Sequence, residues 1–201
     1  MIGIIDYKLG NLANVFHAVN KAGYRAVISD EFSVLRKCSG LILPGVGAFE
    51  DGINALDQCG MIDFLNDWIR RGKYLLGICL GMQLLYEKSY ENGLWNGLGY
   101  LRGDIVRFEG EQKVPHMGWN SLHHHQTDAL TENIRESDYV YFVHSYYARV
   151  PDFDEVLMYA DYGVRFPAVV RKDNVIGMQF HPEKSALAGK ILLENYLRIQ
   201  T

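Results

Sequence analysis

Several features typical of nucleic-acid-binding, membrane-associated or disulfide-stabilised proteins are missing from this sequence of 201 residues. The formal net charge is −4, so the chain lacks the basic excess that nucleic-acid phosphates and anionic membrane surfaces attract. Only three cysteines occur, an odd number spread far apart, which argues against a disulfide framework and for a reducing compartment. We therefore expect a cytoplasmic protein whose partners are neither nucleic acid nor membrane.

The sequence also lacks patterns for targeting or metal binding. Its first residues, Met1–Ile5, run directly into a buried-strand pattern, with no basic segment and no long apolar stretch, so we expect no targeting segment. No His-Glu-x-x-His, Cys-x-x-Cys or Walker-type segment occurs. Three consecutive histidines, His123–His125, point in different directions and are expected to form a solvated loop. We therefore predict no metal and no bound cofactor.

The order of hydrophobic patterns predicts an α/β protein. Short apolar runs alternate with apolar residues at helical spacing in the first half, and this β-α-β rhythm predicts a mostly parallel central sheet flanked by helices. The second half is richer in strands. The predicted strands lie at 2–6, 26–28, 41–43, 75–76, 104–108, 139–143 and 156–160, with a hairpin at 172–174. The predicted helices lie between Leu12 and Gly23, at 61–71 and at 185–199, the last with Leu187, Ile191, Leu192 and Leu197 as its apolar residues.

The most informative segment is Gly77–Gln83, in which a cysteine stands between two glycines. An apolar run precedes it and a helical pattern at 84–88 follows, so the segment is predicted to be a strand-to-helix turn. Such a turn lifts a reactive side chain clear of the sheet and needs small neighbours, while the helix N-terminus favours a thiolate. We predict Cys79 to be a nucleophile, whereas Cys38 and Cys59 lack such surroundings and are interpreted as packing residues.

A second candidate segment, His181-Pro182-Glu183, lies 102 residues after Cys79. A thiol nucleophile needs a base, and histidine titrates in the right range. A carboxylate then fixes the tautomer of the imidazole and stabilises its charged form. Pro182 is expected to keep the backbone extended, so that the side chains on either side of it project together. Alone the segment could be a polar strand end, but together with Cys79 it predicts a Cys-His-Glu triad. We favour His181 over His144 as the base because no carboxylate accompanies His144.

Gly77–Gln83 and His181–Glu183 together resemble the signatures of the class I (triad) glutamine amidotransferases. These enzymes hydrolyse the side-chain amide of glutamine and pass ammonia to a synthase. The resemblance covers essentially the whole chain and implies one glutamine amidotransferase domain over residues 1–201. Further segments narrow it to the glutaminase subunits of imidazole glycerol phosphate synthases, in histidine biosynthesis. Those segments are Asp6–Tyr7, Gly10–Asn11, Pro44–Phe49, His116–Asn120 and Phe142–Tyr147. Lys8 departs from the family pattern, in which glycine is expected.

The resemblance implies specific roles for further residues. The backbone N–H of Leu80, the residue after the nucleophile, can contribute to an oxyanion hole, and the resemblance assigns the second donor to the turn at Gly45 and Val46. Gln83 is interpreted as a glutamine-binding residue, although a solvent-exposed helix residue is the alternative. The other implied glutamine-binding residues are Gly47, Ser145 and Tyr146. The implied partner is a (β/α)8-barrel cyclase subunit that makes imidazole glycerol phosphate and an aminoimidazole carboxamide ribotide. The implied contacts with that partner are Asn11, Trp119, Tyr141 and Lys184.

Two other functions remain open at this point. The nearer is the glutaminase subunit of another class I amidotransferase, serving the synthesis of anthranilate, aminodeoxychorismate or pyridoxal phosphate. The segments His116–Asn120 and Phe142–Tyr147 argue against it. The more distant is a non-catalytic interaction subunit that keeps the fold, and the intact Cys79, His181 and Glu183 argue against that.

Overall fold

The short apolar runs of the first half form buried strands, because a parallel sheet with helices on both faces leaves neither face to water. In the computed structural model, which describes residues 1–200, every residue of Ile2–Ile5 and of Gly40–Gly45 is buried. The strands are β1 Ile2–Ile5, β2 Ala26–Ser29, β3 Gly40–Gly45, β4 Tyr74–Cys79, β5 Lys88–Ser89, β6 Trp95–Asn96, β7 Asp104–Arg107, β8 His116–Ser121, β9 His123–His124, β10 Tyr139–His144, β11 Tyr146–Arg149, β12 Val156–Asp161, β13 Arg165–Lys172 and β14 Val175–Met178. The helices are α1 Leu12–Lys21, α2 Phe32–Leu35, α3 Phe49–Gln58, α4 Met61–Arg70, α5 Leu80–Gln83 and α6 Ala186–Arg198.

The central sheet has eight strands in the order β2-β1-β3-β4-β14-β13-β12-β9. Its first five strands are parallel, and the last three continue antiparallel. This arrangement confirms the predicted mostly parallel sheet. Two smaller sheets, β10-β8 and β11-β7-β5-β6, complete the strand-rich second half.

The parallel register brings three strand ends to one edge of the sheet. Gly45 at the end of β3 pairs with Cys79 at the end of β4. On the other side of β4, Met178 at the end of β14 pairs with Ile78, and the chain reaches His181 three residues later. Because sites in open α/β sheets form outside the carboxyl ends of the strands, this edge is where the predicted site residues are expected to meet.

Helices cover both faces of the sheet, as the sequence predicts. On one face, α1 and α6 pack on residues that include Ile42 and Leu76. On the other face, α3 and α4 pack on residues that include Leu41 and Leu75. Neighbouring residues of β3 and β4 thus point to opposite cores, since side chains alternate along a strand. No helix within residues 1–200 is long and apolar enough to cross a membrane.

The helical pattern expected at 84–88 is wrong, because α5 ends at Gln83. Leu84, Leu85 and Tyr86 are all at most 1% exposed, and their carbonyl oxygens accept N–H groups from residues 98–100 rather than from a continuing helix. The chain instead tightens, with the N–H groups of Leu85 and Tyr86 donating to carbonyls three residues back, and then enters β5. A four-residue helix contributes only a small dipole at Cys79, so the role predicted for that dipole is not supported.

Two other predictions need correction. The predicted loop is wrong at His123 and His124, which form the edge strand β9 paired with β12, whereas His125 lies outside the strand, and His124 and His125 are exposed as expected. The His123 ring stacks on Tyr159, and its Nδ1 lies 2.6 Å from a Glu136 carboxylate oxygen. Leu187, expected on the apolar face of the last helix, is 69% exposed, because the buried face of α6 is formed by residues such as Leu192 and Tyr196.

Candidate active site

Cys79 occupies a strained turn between β4 and α5. Its backbone angles are φ 55° and ψ −112°, a region that non-glycine residues rarely adopt and that costs about 1–3 kcal/mol. The side chain is 7% exposed, and its Sγ lies 4.0 Å from the carbonyl oxygen of Val143 on β10. This is the predicted nucleophile elbow, in which the strained backbone aims the sulfur into a cavity.

The two glycines around Cys79 are required by close backbone approach. A Cβ on Gly77 would lie 2.6 Å from the carbonyl oxygen of Gly81, and a Cβ on Gly81 would overlap the carbonyl oxygen of Leu43 on β3. Both obstacles are backbone atoms, one in α5 and one in β3, so they cannot move aside as a side chain can. The Gly-x-Cys-x-Gly pattern therefore follows from close packing of the elbow within itself and against the neighbouring strand.

His181 and Glu183 form the predicted hydrogen-bonded pair. His181 Nδ1 lies 2.9 Å from Glu183 Oε1, and the two side chains are 4% and 3% exposed. The expected extended backbone is wrong, because Pro182–Lys184 form a 3-10 turn. Proline suits the first position of such a turn, since its missing N–H would have no partner there. The turn places the Glu183 carboxylate next to the His181 ring, whereas the sequence predicted that an extended strand would do so.

The charge state of His181 reflects opposing influences. Burial acts to lower its pKa, but interaction with Cys79 and with Glu183 outweighs burial and raises the pKa from 6.5 to about 9. The ring is therefore an imidazolium at neutral pH. Its Nε2, the nitrogen away from Glu183, is buried and meets no hydrogen-bond partner among the described residues. A proton donor is thus held beside Cys79 without a committed acceptor, and such contacts often tighten only when substrate binds.

The raised pKa of His181 predicts a pH-dependent contribution to stability. A group whose pKa is higher in the folded state stabilises the fold fully below its unfolded value of 6.5, and this contribution is lost as the pH rises through about 9. The free energy of unfolding of the wild type minus that of His181→Gln is expected to be largest below pH 6.5 and to decline towards pH 9.5. Urea denaturation across this pH range measures it, and a difference that does not change with pH would contradict the assignment.

The predicted residues meet around a cavity of about 360 Å³ at the end of the sheet. Among the predicted site residues, those that line it are Val46, Gly47, Cys79, Leu80, Gln83, Ser145, Tyr146 and His181. Gly45 lies just behind the lining, where a Cβ would come within 2.6 Å of the Tyr7 hydroxyl. That hydroxyl is buried and donates to the carbonyl oxygen of Pro44, so Tyr7 holds the turn that the resemblance assigns to the oxyanion hole.

Gln83 is buried and is not the exposed helix residue of the alternative interpretation. It is 5% exposed, and its Nε2 donates to the carbonyl oxygen of Tyr146 at 2.9 Å and to Gln179 Oε1 at 3.1 Å. The amide nitrogen thereby holds the Ser145–Tyr146 segment against the cavity. The amide oxygen has no hydrogen bond to the described residues and remains available to a ligand.

The cavity also contains a carboxylate that the sequence patterns did not reveal. Glu91 lines it, and Glu91 Oε2 accepts a hydrogen bond from the Phe49 N–H at 2.8 Å. Burial raises the pKa of this carboxyl group, although the Phe49 N–H opposes the rise. Pro115, Val143 and His144 are the other lining residues that were not predicted. Glu91 belongs to no motif, and only the folding of the segment after α5 brings it to the site.

His144 is part of a chain of neutral histidines. Its Nδ1 lies 2.8 Å from the carbonyl oxygen of Tyr146, and its Nε2 lies 3.0 Å from His116 Nδ1. A carbonyl oxygen can only accept, so His144 Nδ1 carries a proton and Nε2 accepts one from His116. Burial lowers the pKa of His144 to about 3 and that of His116 to about 4. Both nitrogens of His144 are therefore committed, Nδ1 to Tyr146 and Nε2 to His116, which supports the choice of His181 as the base.

The four residues predicted to contact a partner lie outside the cavity lining. Trp119 on β8 is 53% exposed, and its ring meets the Tyr141 ring edge-on at 6.0 Å. The two residues are directly paired across β8 and β10, next to exposed Tyr139. Asn11 and Lys184 are also exposed. This aromatic face adjoins the site, because β10 carries both Tyr141 and the Val143 carbonyl beside Cys79.

Lys8, where the family pattern predicts glycine, has a φ of 71°. Glycine adopts this conformation without penalty, which accounts for the expected residue. Lys8 instead forms ion pairs with Asp6 and Asp30, with Nζ–Oδ2 distances of 3.4 and 3.3 Å. Within residues 1–200, no group of three or more histidine, cysteine or acidic side chains could hold a metal ion.

Comparison with known proteins identifies the family. The protein-family model described as glutamine amidotransferase class-I matches residues 3–198. A protein of Geobacillus sp. (strain WCH70) named imidazole glycerol phosphate synthase subunit HisH is 49% identical over 205 residues, covering 99% of this chain and 97% of that protein. A protein of the same name from Desulfitobacterium hafniense (strain DSM 10664 / DCB-2) is 50% identical over 196 residues, covering 98% and 93%.

Solved structures share the fold at lower identity. A crystal structure of a glutamine amidotransferase aligns with a TM-score of 0.78 at 21% identity, covering 99% of this chain and 98% of that one. The structure of PurLQS from Thermotoga maritima aligns with a TM-score of 0.77 at 20% identity, covering 100% and 98%. Since the family model spans nearly the whole chain, and relatives about half identical cover it end to end, this chain belongs to the class-I glutamine amidotransferase family.

Proposed function

We propose that this protein hydrolyses glutamine to glutamate and ammonia and delivers the ammonia to a cyclase subunit of imidazole glycerol phosphate synthase, in histidine biosynthesis. The observation that carries the proposal is Cys79 on a strained elbow beside His181, whose far nitrogen bonds Glu183, in one cavity of about 360 Å³. Relatives named as subunits of that synthase, about half identical along the whole chain, support the pathway over that of another amidotransferase.

The first half of the reaction forms a thioester. The Cys79 thiolate attacks the carboxamide carbon of glutamine, and the N–H groups of Leu80 and Val46 receive the negative charge that develops on the oxygen. As the carbon–nitrogen bond breaks, His181 gives its Nε2 proton to the departing nitrogen, which leaves as ammonia. Glu183 holds the ring so that Nε2 faces this nitrogen.

The second half returns the enzyme to its starting state. With its Nε2 now unprotonated, His181 takes a proton from a water molecule that attacks the thioester carbon. The carbon–sulfur bond breaks, the Cys79 thiolate is restored beside the imidazolium, and glutamate leaves. Each proton taken from water replaces the one given to ammonia, so the cycle balances with protein side chains and water alone, and it requires no cofactor.

The amino-acid end of glutamine would bind at the polar wall of the cavity. The half-buried Glu91 carboxylate is placed to receive the α-ammonium group, and the Gln83 amide oxygen is a second acceptor. The backbone of Gly47 and of Ser145–Tyr146 lines the remainder of the wall. Gly47 has a φ of 104°, so its peptide groups adopt an orientation that other residues rarely reach.

Replacing Glu91 by glutamine is expected to raise the KM for glutamine by about 10- to 100-fold with little change in kcat, because a charge-assisted hydrogen bond of about 1.5–3 kcal/mol is lost. The variant keeps an oxygen for the Phe49 N–H, so the local backbone bond is preserved. Steady-state kinetics of glutamate release measure the effect. Glu87→Gln is the matched control, since Glu87 also accepts a backbone N–H, from Gly103, but does not line the cavity. Equal KM values for the two variants would contradict the role of Glu91.

The exposed aromatic face is the proposed docking surface for the cyclase. Asn11, Trp119, Tyr141 and Lys184 are the proposed contacts, and they place an apolar patch and a cation at the edge of the site. Aromatic residues of this kind are enriched where partners bind. A (β/α)8-barrel partner would supply the ribonucleotide chemistry. Cys38, Cys59 and Cys79 are free thiols, as the proposed cytoplasmic setting requires.

The decisive experiment measures glutamate release from glutamine with and without the cyclase subunit and its ribonucleotide ligand. Strong stimulation by the loaded cyclase is the expected result. A rate of glutamate release that does not change when the cyclase is added would support the triad but assign the protein to another amidotransferase pathway. Absence of glutaminase activity under both conditions would overturn the proposal.

A further inference from the structure

Ser185 is a completely buried hydroxyl group between the catalytic turn and strand β10. Its Oγ donates to the carbonyl oxygen of His181 at 2.6 Å and accepts from the backbone N–H of Tyr141 at 2.9 Å. A hydroxyl has one proton to donate, and this contact with His181 uses it. The side chain thus joins the backbone of the proposed base to the backbone of a strand residue 44 positions earlier.

A second hydrogen bond also joins the backbones of His181 and Tyr141, this time without Ser185. The backbone N–H of His181 donates to the carbonyl oxygen of Tyr141 at 3.2 Å. Both backbone polar groups of Tyr141 therefore connect to the His181 turn. Its carbonyl oxygen bonds the His181 N–H directly, and its N–H bonds the Ser185 hydroxyl, which in turn bonds the His181 carbonyl oxygen. Removing the Ser185 hydroxyl would free one of the two links and leave a buried N–H without a partner, which native structures avoid.

Helix α6 is hydrogen-bonded to the backbone of Ser185. The Ser185 carbonyl accepts the N–H of Gly189 at 2.9 Å, and its own N–H donates to the Pro182 carbonyl at 3.2 Å. A Cβ on Gly189 would overlap that Pro182 carbonyl oxygen, so the helix packs directly on the turn. Ser185 is therefore hydrogen-bonded to the catalytic turn, to β10 and to α6 at once.

Strand β10 contacts both proposed catalytic residues through its backbone, and its Tyr139 and Tyr141 side chains reach the solvent. Tyr141 holds His181, and the Val143 carbonyl oxygen lies 4.0 Å from Cys79 Sγ. The Tyr141 ring packs edge-on with Trp119 on the exposed aromatic face. A displacement of this strand by a docked partner would therefore reach the nucleophile and the base together.

We propose that Ser185 is a positioning residue for glutamine hydrolysis, which fixes His181 to β10 so that the strand bearing the partner-facing rings also sets the position of the base. The inference rests on the proposed function. It assigns Ser185 no contact with the substrate, since Ser185 does not line the cavity. Its effect is expected on kcat, because a displacement of the base by about 1 Å can cost roughly 100-fold in rate, while the groups that bind glutamine remain in place.

The test compares Ser185→Ala and Ser185→Thr in the full chain, with glutamate release measured with and without the loaded cyclase. Ser185→Ala is expected to lower kcat by about 10- to 100-fold with a KM within about twofold of the wild type. Ser185→Thr keeps the hydroxyl and is expected to recover most of the lost kcat. Thr131→Val is the matched control, because it also removes a buried hydroxyl that donates to a backbone carbonyl, that of Asp128, outside the cavity.

The possible outcomes separate this inference from the proposed function. Wild-type kcat in folded Ser185→Ala, or a loss that Ser185→Thr does not restore, would overturn the positioning role while leaving the triad intact. Should Ser185→Ala fail to fold, Ser185→Cys has a similar size and a weak donor, and the same fall in kcat is expected. A wild-type protein without glutaminase activity would contradict the proposed function, and the inference with it.

Discussion

Cys79→Ala is expected to abolish glutamine hydrolysis, lowering kcat/KM by at least about 10⁴-fold, because removal of a covalent nucleophile leaves only binding and oxyanion stabilisation. The removed sulfur atom borders the existing cavity, so its loss creates no new enclosed void and should change the fold little. In the complex with the cyclase, synthesis supplied with glutamine is expected to stop, whereas synthesis supplied with ammonium salts continues. Glutamate release and product formation, measured on the same preparation, test both expectations.

Two further cysteines provide controls for this experiment. Cys59 is exposed and Cys38 is buried, and neither lines the cavity. Cys59→Ala is expected to retain wild-type activity, and Cys38→Ala to retain it as long as the variant is folded. Glutaminase activity that survives in Cys79→Ala would refute the nucleophile, and loss of the ammonia-dependent reaction would refute the division of labour between the subunits.

Gly81→Ala is expected to destabilise the protein by about 3 kcal/mol or more, at the upper end of what overpacking a core costs. The new Cβ would overlap the carbonyl oxygen of Leu43, which β3 holds in register with Gly77 on β4. Relief requires a backbone shift at the elbow, so the proposed oxyanion donor at Leu80 is displaced and activity falls as well. The free energy of unfolding from urea denaturation measures the first effect, and glutaminase kinetics measure the second.

Gly52→Ala is the matched control, because it adds the same atom to a glycine in α3 that faces the same region. Its Cβ would meet side-chain carbons of Leu84 and Leu80 at 3.1–3.3 Å, and these can adjust. The higher helix propensity of alanine, about 1 kcal/mol, offsets part of that contact. We expect a net change within about 1 kcal/mol. Similar losses of stability in Gly52→Ala and Gly81→Ala would show that the close backbone approach is not the cause.

Much of the fold was predictable because its signals are local. Short apolar runs, such as Leu41–Leu43, predict buried strands, and they form β1, β3 and β4 in the structure. The turn at 172–174 also forms as predicted, with Asp173 at a φ of 53°. The failures at 84–88 and at His123–His124 share one physical cause. In both, the conformation is decided by contacts with distant parts of the chain, which the local pattern does not contain: the first segment is buried, and the second pairs with β12.

For the candidate site, the chemical groups were predictable from local patterns, although the backbone conformation around His181 and Glu183 was not. A cysteine between glycines predicts an elbow, and a histidine two residues from a glutamate predicts a paired imidazole, since each depends on residues within a few positions. The tertiary fold brings Cys79 and His181, which are 102 residues apart in the sequence, together at adjacent strand ends. It also decided the roles of Glu91, His144 and Ser185, because burial, charge and hydrogen-bond partners arise from segments that no short-range pattern connects.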